Sequence, residues 1–271
     1  MTVPWIEPKQ PPPDRWSREL APRRNEFEKT MPATLPFAHC ESQFFTRLVE
    51  LGLDVSCIVD VGGSNAAWST SLAPVFPNAR FELFEPLAGR REEYDRVLEW
   101  ALRTHPNFRM HNIALGDENG VASLWNEPSG VGSSLIADGQ PREQKIDVPI
   151  RRLDDYSAER GIPQPQVVKI DVQGGELMVL RGGQQTIANA DVLHLETWLS
   201  RGYGKRTPLL PELMDYLRPM GHLMVHLGDF WRRPDQELIS VDAFFVHKRL
   251  IERLTASGAR LPWPANWSPA E

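Results

Sequence analysis

The chain has 271 residues, 41% of them hydrophobic, a formal net charge of −6 and a sequence pI near 5.7. That is enough apolar material for one sizeable core, and the acidic balance with no basic stripe argues against a nucleic-acid partner. Arginine pairs such as Arg23-Arg24, Arg90-Arg91, Arg151-Arg152 and Arg232-Arg233 are scattered as solvated surface pairs. Two cysteines, Cys40 and Cys57, form neither a disulfide framework nor a metal-ligand spacing. No apolar run approaches the ~20 residues of a membrane span, and the N-terminus lacks the apolar core of a secretory signal. The expectation is a soluble cytoplasmic protein with no membrane insertion.

Residues 1–36 are rich in proline and charge. Pro11-Pro12-Pro13 excludes a helix there. The segment reads as a tail, or as an arm laid over the domain or over a second copy of the chain, with Trp5 and Trp16 as anchors. Residues 37–271 form the expected domain. Phe44, Phe45, Leu48, Val49 and Leu51 fit one face of a helix. Residues 57–61 make a β-branched strand that ends in Gly62-Gly63, followed by a helix over about 65–76 that Pro77 closes. Strands are predicted at 81–84 and 108–114, with a helix over 90–104 between them. Residues 120–150 hold two short strand patterns, at 121–125 and 146–150, which suggest an inserted hairpin or loop. Asp154-Asp155 start a helix. Strand 167–170, a helix through Leu177 and Leu180, strand 192–195, a helix near 209–217 and strands at 222–227 and 243–246 complete the series.

Strands separated by helices imply a mostly parallel sheet covered on both faces. The last two strands have no helix between them and should pair antiparallel at one edge. The predicted fold is therefore α/β and Rossmann-like, a seven-stranded mostly parallel sheet with an antiparallel edge strand. In such sheets ligands bind at the carboxyl ends of the strands, near the point where strand order reverses.

The first loop, IVDVGGSNAAWS from Ile58 to Ser69, runs from a strand through Asp60 and two glycines into a helix start. Glycine there lets the backbone approach a ligand, and helical N–H groups suit an anion. Glu85 ends the second strand in FELFEP, where a carboxylate can accept both hydroxyls of a ribose. The pattern Gly62-Gly63-Ser64-Asn65 lacks the third glycine of G-x-G-x-x-G, which weakens the case for a nicotinamide dinucleotide without removing it.

In order along the chain stand DVGGSNAAWS from Asp60, FEP from Phe84, NIALGDENG from Asn112, VPIRRLDDY from Val148 and KIDVQGGELMVLRGG from Lys169, with VLHLETW from Val192 as a looser sixth block. This ordered set resembles the FkbM family of S-adenosylmethionine-dependent methyltransferases. Gly63-Ser64 and Gln173 depart from the usual family residues, and residues 1–36 lie outside the resemblance. The resemblance implies a class I methyltransferase fold and methyl transfer to a hydroxyl of a small-molecule or glycan acceptor, with S-adenosylhomocysteine as product. It places Asp60, Gly62, Gly63 and Asn65 at the cofactor, Glu85 on its ribose, Asn112 and Ile113 near the adenine, and Asp171 near the methionine end. A nicotinamide-dependent oxidoreductase and a non-catalytic cofactor-binding domain are the alternatives.

Methylation of an aliphatic hydroxyl calls for a base. Glu196, Asp171, Glu176 and His194 are the candidates at strand ends, with Glu196 preferred. Each has a structural alternative: Asp171 and Glu176 as caps, His194 as a hydrogen-bonded core residue, Lys169 as an ion-pair partner. Asp171, Glu176 and Glu196 together are compatible with a divalent cation, but nothing requires one, and no metal site is assigned. Trp68 and Trp198 adjoin the site and suit either sugar stacking or packing.

Overall fold

The computed structural model describes residues 39–127, 132–136, 138, 144–233, 235 and 237–259. The arm expected over residues 1–36 lies outside them. A first helix, α1 (His39–Glu50), precedes β1 (Cys57–Val61), α2 (Ala67–Leu72), β2 (Arg80–Phe84), α3 (Glu92–Thr104) and β3 (Phe108–His111). Next come β4 (Ala114–Leu115), β5 (Gly120–Trp125), β6 (Lys145–Arg151), α4 (Leu153–Arg160), β7 (Val167–Ile170), α5 (Glu176–Gly182) and α6 (Gln184–Asn189). The described part ends with β8 (Val192–Trp198), α7 (Leu210–Leu217), a short 3-10 turn, β9 (His222–Arg232), β10 (Leu238–His247) and α8 (Lys248–Ala256).

Seven strands form one sheet in the order β3-β2-β1-β7-β8-β10-β9. Every pairing is parallel except those of β10, which runs antiparallel to both β8 and β9. The reversed strand thus sits one place in from the edge, and β9 is outermost. Strand order reverses between β1 and β7, so the loops after these two strands flank the switch point.

The central strands are apolar on both faces, as a covered parallel sheet requires. One face carries Ile58, Phe81, Val167, Val192 and Val246 against Phe45 and Leu48 of α1, Leu72 of α2 and Leu250 of α8. The opposite face carries Val59, Val168, Leu193 and Phe245 against Leu153 of α4, Val179 of α5, Ile187 of α6 and Leu213 of α7. The strand expected over 108–114 is broken by a tight turn in which Ile113 N donates to His111 O at 2.9 Å. Its second half, β4, joins β6 and β5 in a separate three-stranded sheet, so the segment expected as an insertion carries its own small core of Leu124, Val148 and Ile150. The helix expected over 65–76 is shorter because Ala66 adopts a left-handed conformation, φ 64. Asp154 does not cap its own helix. It accepts from the N–H groups of Gln185 and Thr186, both at 2.9 Å, and so caps α6. Among the described residues, no helix is long and apolar enough to cross a membrane.

Candidate active site

The loops after β1 and β7 abut at the switch point. Gly62 N and Gly63 N both donate to Phe84 O, at 2.9 and 3.0 Å, which bends the chain over the end of β2. Gly62 has φ +77, and a Cβ on it would lie 1.8 Å from Asp171 O. The glycine is therefore demanded by the neighbouring loop, whereas the sequence suggested an approaching ligand. Beneath this contact Lys169 Nζ lies 3.2 Å from Asp60 Oδ1, 3.2 Å from Gly62 O and 3.4 Å from Asp171 Oδ2. Burial opposes its charge, but Asp60 and Asp171 hold the ammonium well above its ordinary pKa. Ser69 Oγ donates to Asp60 Oδ2 at 2.6 Å, and Asp60 is fully buried. Both Asp60 oxygens are thus engaged by protein. Asp60 supports the loop from beneath.

Glu85 reaches back to the glycine loop. Its Oε2 accepts from Ser64 N at 3.0 Å and its Oε1 from Leu87 N at 2.9 Å. Burial raises its pKa against these two donors. Ser64 itself is left-handed, φ 46, and Asn65 Oδ1 accepts from Ala67 N at 3.1 Å to start α2. Gly62, Gly63, Asn65 and Glu85 are therefore brought together. Asn112 and Ile113 lie beyond the next strand: Asn112 is exposed and donates to Ala88 O at 2.9 Å, and Ile113 packs half-buried on the second core.

The acidic side centres on a residue to which the sequence gave no role. Gln173 Nε2 donates to Asp171 Oδ1 and to Glu196 Oε2, both at 2.8 Å, while Tyr203 donates its hydroxyl to Gln173 Oε1 at 2.6 Å. Ser240 Oγ completes the group at 3.3 Å from Glu196 Oε1. Gln173 has φ 55, which a left-handed turn before Gly174-Gly175 explains. Burial pushes Glu196 well above the carboxylate range, and the charges of Asp171 and Glu176 push it further. Asp171 is lowered: burial works against ionisation, but Lys169 and the Gln173 hydrogen bond outweigh it. The pair therefore holds its shared proton on Glu196 and its charge on Asp171.

Two expected catalytic residues take no part in the Gln173 bridge. Glu176 is fully buried at the start of α5, where its Oε1 accepts from Gly174 N at 2.9 Å and Val172 N at 3.4 Å. It closes the loop after β7, and burial raises its pKa to about 7. His194 is 2% exposed and stacks on Phe244 with ring centroids 4.5 Å apart. It faces Glu41 and Asp242, the latter paired with Glu196 across β8 and β10, and makes no hydrogen bond in the Gln173 bridge. Consequently Asp171, Glu176 and Glu196 do not converge as a ligand set among the described residues. Trp198 is buried and edge-on to Tyr203, and Trp68 packs against Phe45 and His194.

A mostly parallel seven-stranded sheet with one reversed strand next to its edge, and a carboxylate closing on the loop after β1, is the arrangement of class I methyltransferases. Residues 60–224 match the methyltransferase FkbM domain, and the chain belongs to that family. It is 26% identical over 171 residues to the 2-O-methyltransferase NoeI of Sinorhizobium fredii, a match covering 56% of this chain and 67% of NoeI. Among solved structures, a methyltransferase FkbM from Methylobacillus flagellatus aligns with a TM-score of 0.46 and 17% identity, over 75% of this chain and 50% of that one. This chain therefore spans about half the length of that structure. The magnesium protoporphyrin IX methyltransferase of Synechocystis aligns with a TM-score of 0.43 and 12% identity, over 83% of this chain and 94% of its own.

Proposed function

We propose that the chain transfers the methyl group of S-adenosylmethionine to a hydroxyl oxygen of a small-molecule or glycan acceptor, releasing S-adenosylhomocysteine. The observation that carries this reading is the closure of Glu85 on the glycine loop, through Ser64 N at 3.0 Å, beside the bridged Asp171–Glu196 pair. Each Glu85 oxygen takes one backbone donor and keeps a further lone pair, which fits two vicinal ribose hydroxyls. Asp171, held ionised by Lys169, offers negative charge for the cofactor's ammonium group. Oxygen as the accepting atom is supported by the family match and by the 2-O-methyltransferase name of the related NoeI.

Bound S-adenosylmethionine supplies an already activated methyl group, so orientation of the reactants contributes much of the rate. Glu196 is the residue that takes the hydroxyl proton. It must be ionised to do so, and its raised pKa makes it a stronger base once ionised, so turnover rises with pH through its titration. Gln173 fixes the Glu196 carboxylate, and Lys169 keeps the pair's charge on Asp171 at lower pH. The same reading treats residues 37–271 as the catalytic domain and residues 1–36 as an arm available for self-association, in a protein of the cytoplasm.

Incubation with S-adenosylmethionine carrying a 13C-methyl group tests the reading. The chemical shift of the labelled product methyl should report a carbon bonded to oxygen. A methyl carbon on nitrogen or carbon would contradict the oxygen acceptor, and absence of saturable S-adenosylhomocysteine binding by titration calorimetry would remove the cofactor as well.

A further inference from the structure

Next to the Gln173 bridge, with Asp242 opposite Glu196 in the β8–β10 pair, three ligand-type side chains from separate elements come together. His194 Nε2 on β8 lies 3.3 Å from Glu41 Oε1 of α1 and 3.4 Å from Asp242 Oδ1 of β10. One ligand atom from each residue lies within 4.8 Å of the others. Glu41 is 7% exposed and His194 2%, with Asp242 half-buried, so the cluster is mostly withdrawn from solvent. Despite these short distances, neither ring nitrogen of His194 has a hydrogen-bond partner.

We propose that Glu41, His194 and Asp242 form a binding site for a divalent transition metal of zinc type, joining α1 to β8 and β10. With bonds of about 2.0–2.1 Å, tetrahedral coordination sets ligand atoms about 3.3–3.4 Å apart. The two edges measured at Nε2 have that length. An ion between the three atoms would replace the two long contacts at Nε2 with a bond to the ring nitrogen and to each carboxylate. Its two positive charges balance the two carboxylates. One nitrogen and two carboxylate oxygens favour zinc, cobalt or manganese over the all-oxygen surroundings of calcium. The imidazole plane is already fixed, since Phe244 stacks on it at an interplanar angle of 4° and Trp68 closes in at 5.7 Å. Lys169 is engaged by Asp60, Gly62 and Asp171, and its charge also acts on Glu41. Three protein ligands leave a fourth position for water. The proposal does not rest on the methyl-transfer reading, since its readout is metal binding, although Asp242 lies opposite Glu196 across β8 and β10.

The test uses the full chain, stripped with chelator and dialysed, without S-adenosylmethionine. Titration with Zn²⁺ by calorimetry, and with Co²⁺ by visible absorption, should give one saturable equivalent, with cobalt bands of tetrahedral intensity. The thermal midpoint should rise with Zn²⁺. Glu41→Gln and Asp242→Asn keep side-chain volume, and each should weaken binding by at least about tenfold and abolish the thermal shift. Either folded variant suffices for the comparison. Absence of a saturable equivalent in the wild-type protein overturns the proposal, and so does Zn²⁺ affinity unchanged in a folded variant, which would place the ion elsewhere.

Discussion

Gly62→Ala probes the contact between the two site loops. The new methyl group would be built 1.8 Å from Asp171 O, a backbone atom that cannot rotate away, at a residue whose φ is +77. The left-handed conformation alone costs alanine about 1–2 kcal/mol. Shifting backbone to relieve overpacking adds about 1–3 kcal/mol. The sum, about 2–5 kcal/mol, is a large share of the roughly 5–15 kcal/mol that holds a typical domain folded. Gly63→Ala is the internal control: its Cβ would meet Leu83 Cβ at 3.3 Å, and no left-handed φ is involved. It should cost no more than about 1 kcal/mol. Urea unfolding followed by circular dichroism measures both. Equal midpoints for Gly62→Ala and the wild-type protein would refute the argument that the β7 loop demands this glycine.

Lys169→Met should destabilise the protein by about 3–5 kcal/mol in the same assay, because Asp60 would stay fully buried with only Ser69 as a partner. The double variant with Asp60→Asn should recover part of that loss, and no recovery would argue against the pairing. Glu176 has a folded pKa near 7, above its ordinary 4.5, so its protonated form is the stabilising one. That contribution is complete below about pH 4.5 and is lost as pH rises through 7. Glu176→Gln should therefore gain on the wild-type protein by about 3 kcal/mol between pH 5 and pH 8, and a pH-independent difference would contradict the burial argument. Glu196→Gln should lower kcat by about 10²–10⁴-fold while leaving S-adenosylhomocysteine affinity within a few fold, and unchanged turnover would remove Glu196 as the base.

Much of the sheet can be read from sequence because its central strands are mostly apolar, broken only by Asp60 in β1 and Lys169 in β7. Cys57–Val61 and Val167–Ile170 are buried at every position, and such runs bounded by glycine or proline resist other readings. Strand order could be anticipated only through family resemblance, since nothing local to Leu238–His247 says that it inserts between β8 and β9. Gly62 and Glu85 stood out because the strand-to-loop transitions mark them. The reason for Gly62 did not, because the carbonyl that excludes a side chain comes from Asp171, 109 positions later. Gln173 was visible only as an unusual residue in a familiar motif. Its role depends on Glu196 and Tyr203, which reach it from separate elements. Glu41 and Asp242 carry no local signal, since their meeting at His194 is made wholly by tertiary packing.

We propose that the carboxylate of Glu85, after β2, grips the ribose of an adenosyl cofactor over the glycine loop. Equilibrium dialysis of labelled S-adenosylhomocysteine against the wild-type protein and Glu85→Ala, with folding of the variant checked by circular dichroism, tests it most directly. Loss of the charge-assisted hydrogen bonds should weaken binding about ten- to hundredfold. Equal affinity in a folded Glu85→Ala variant would contradict the account.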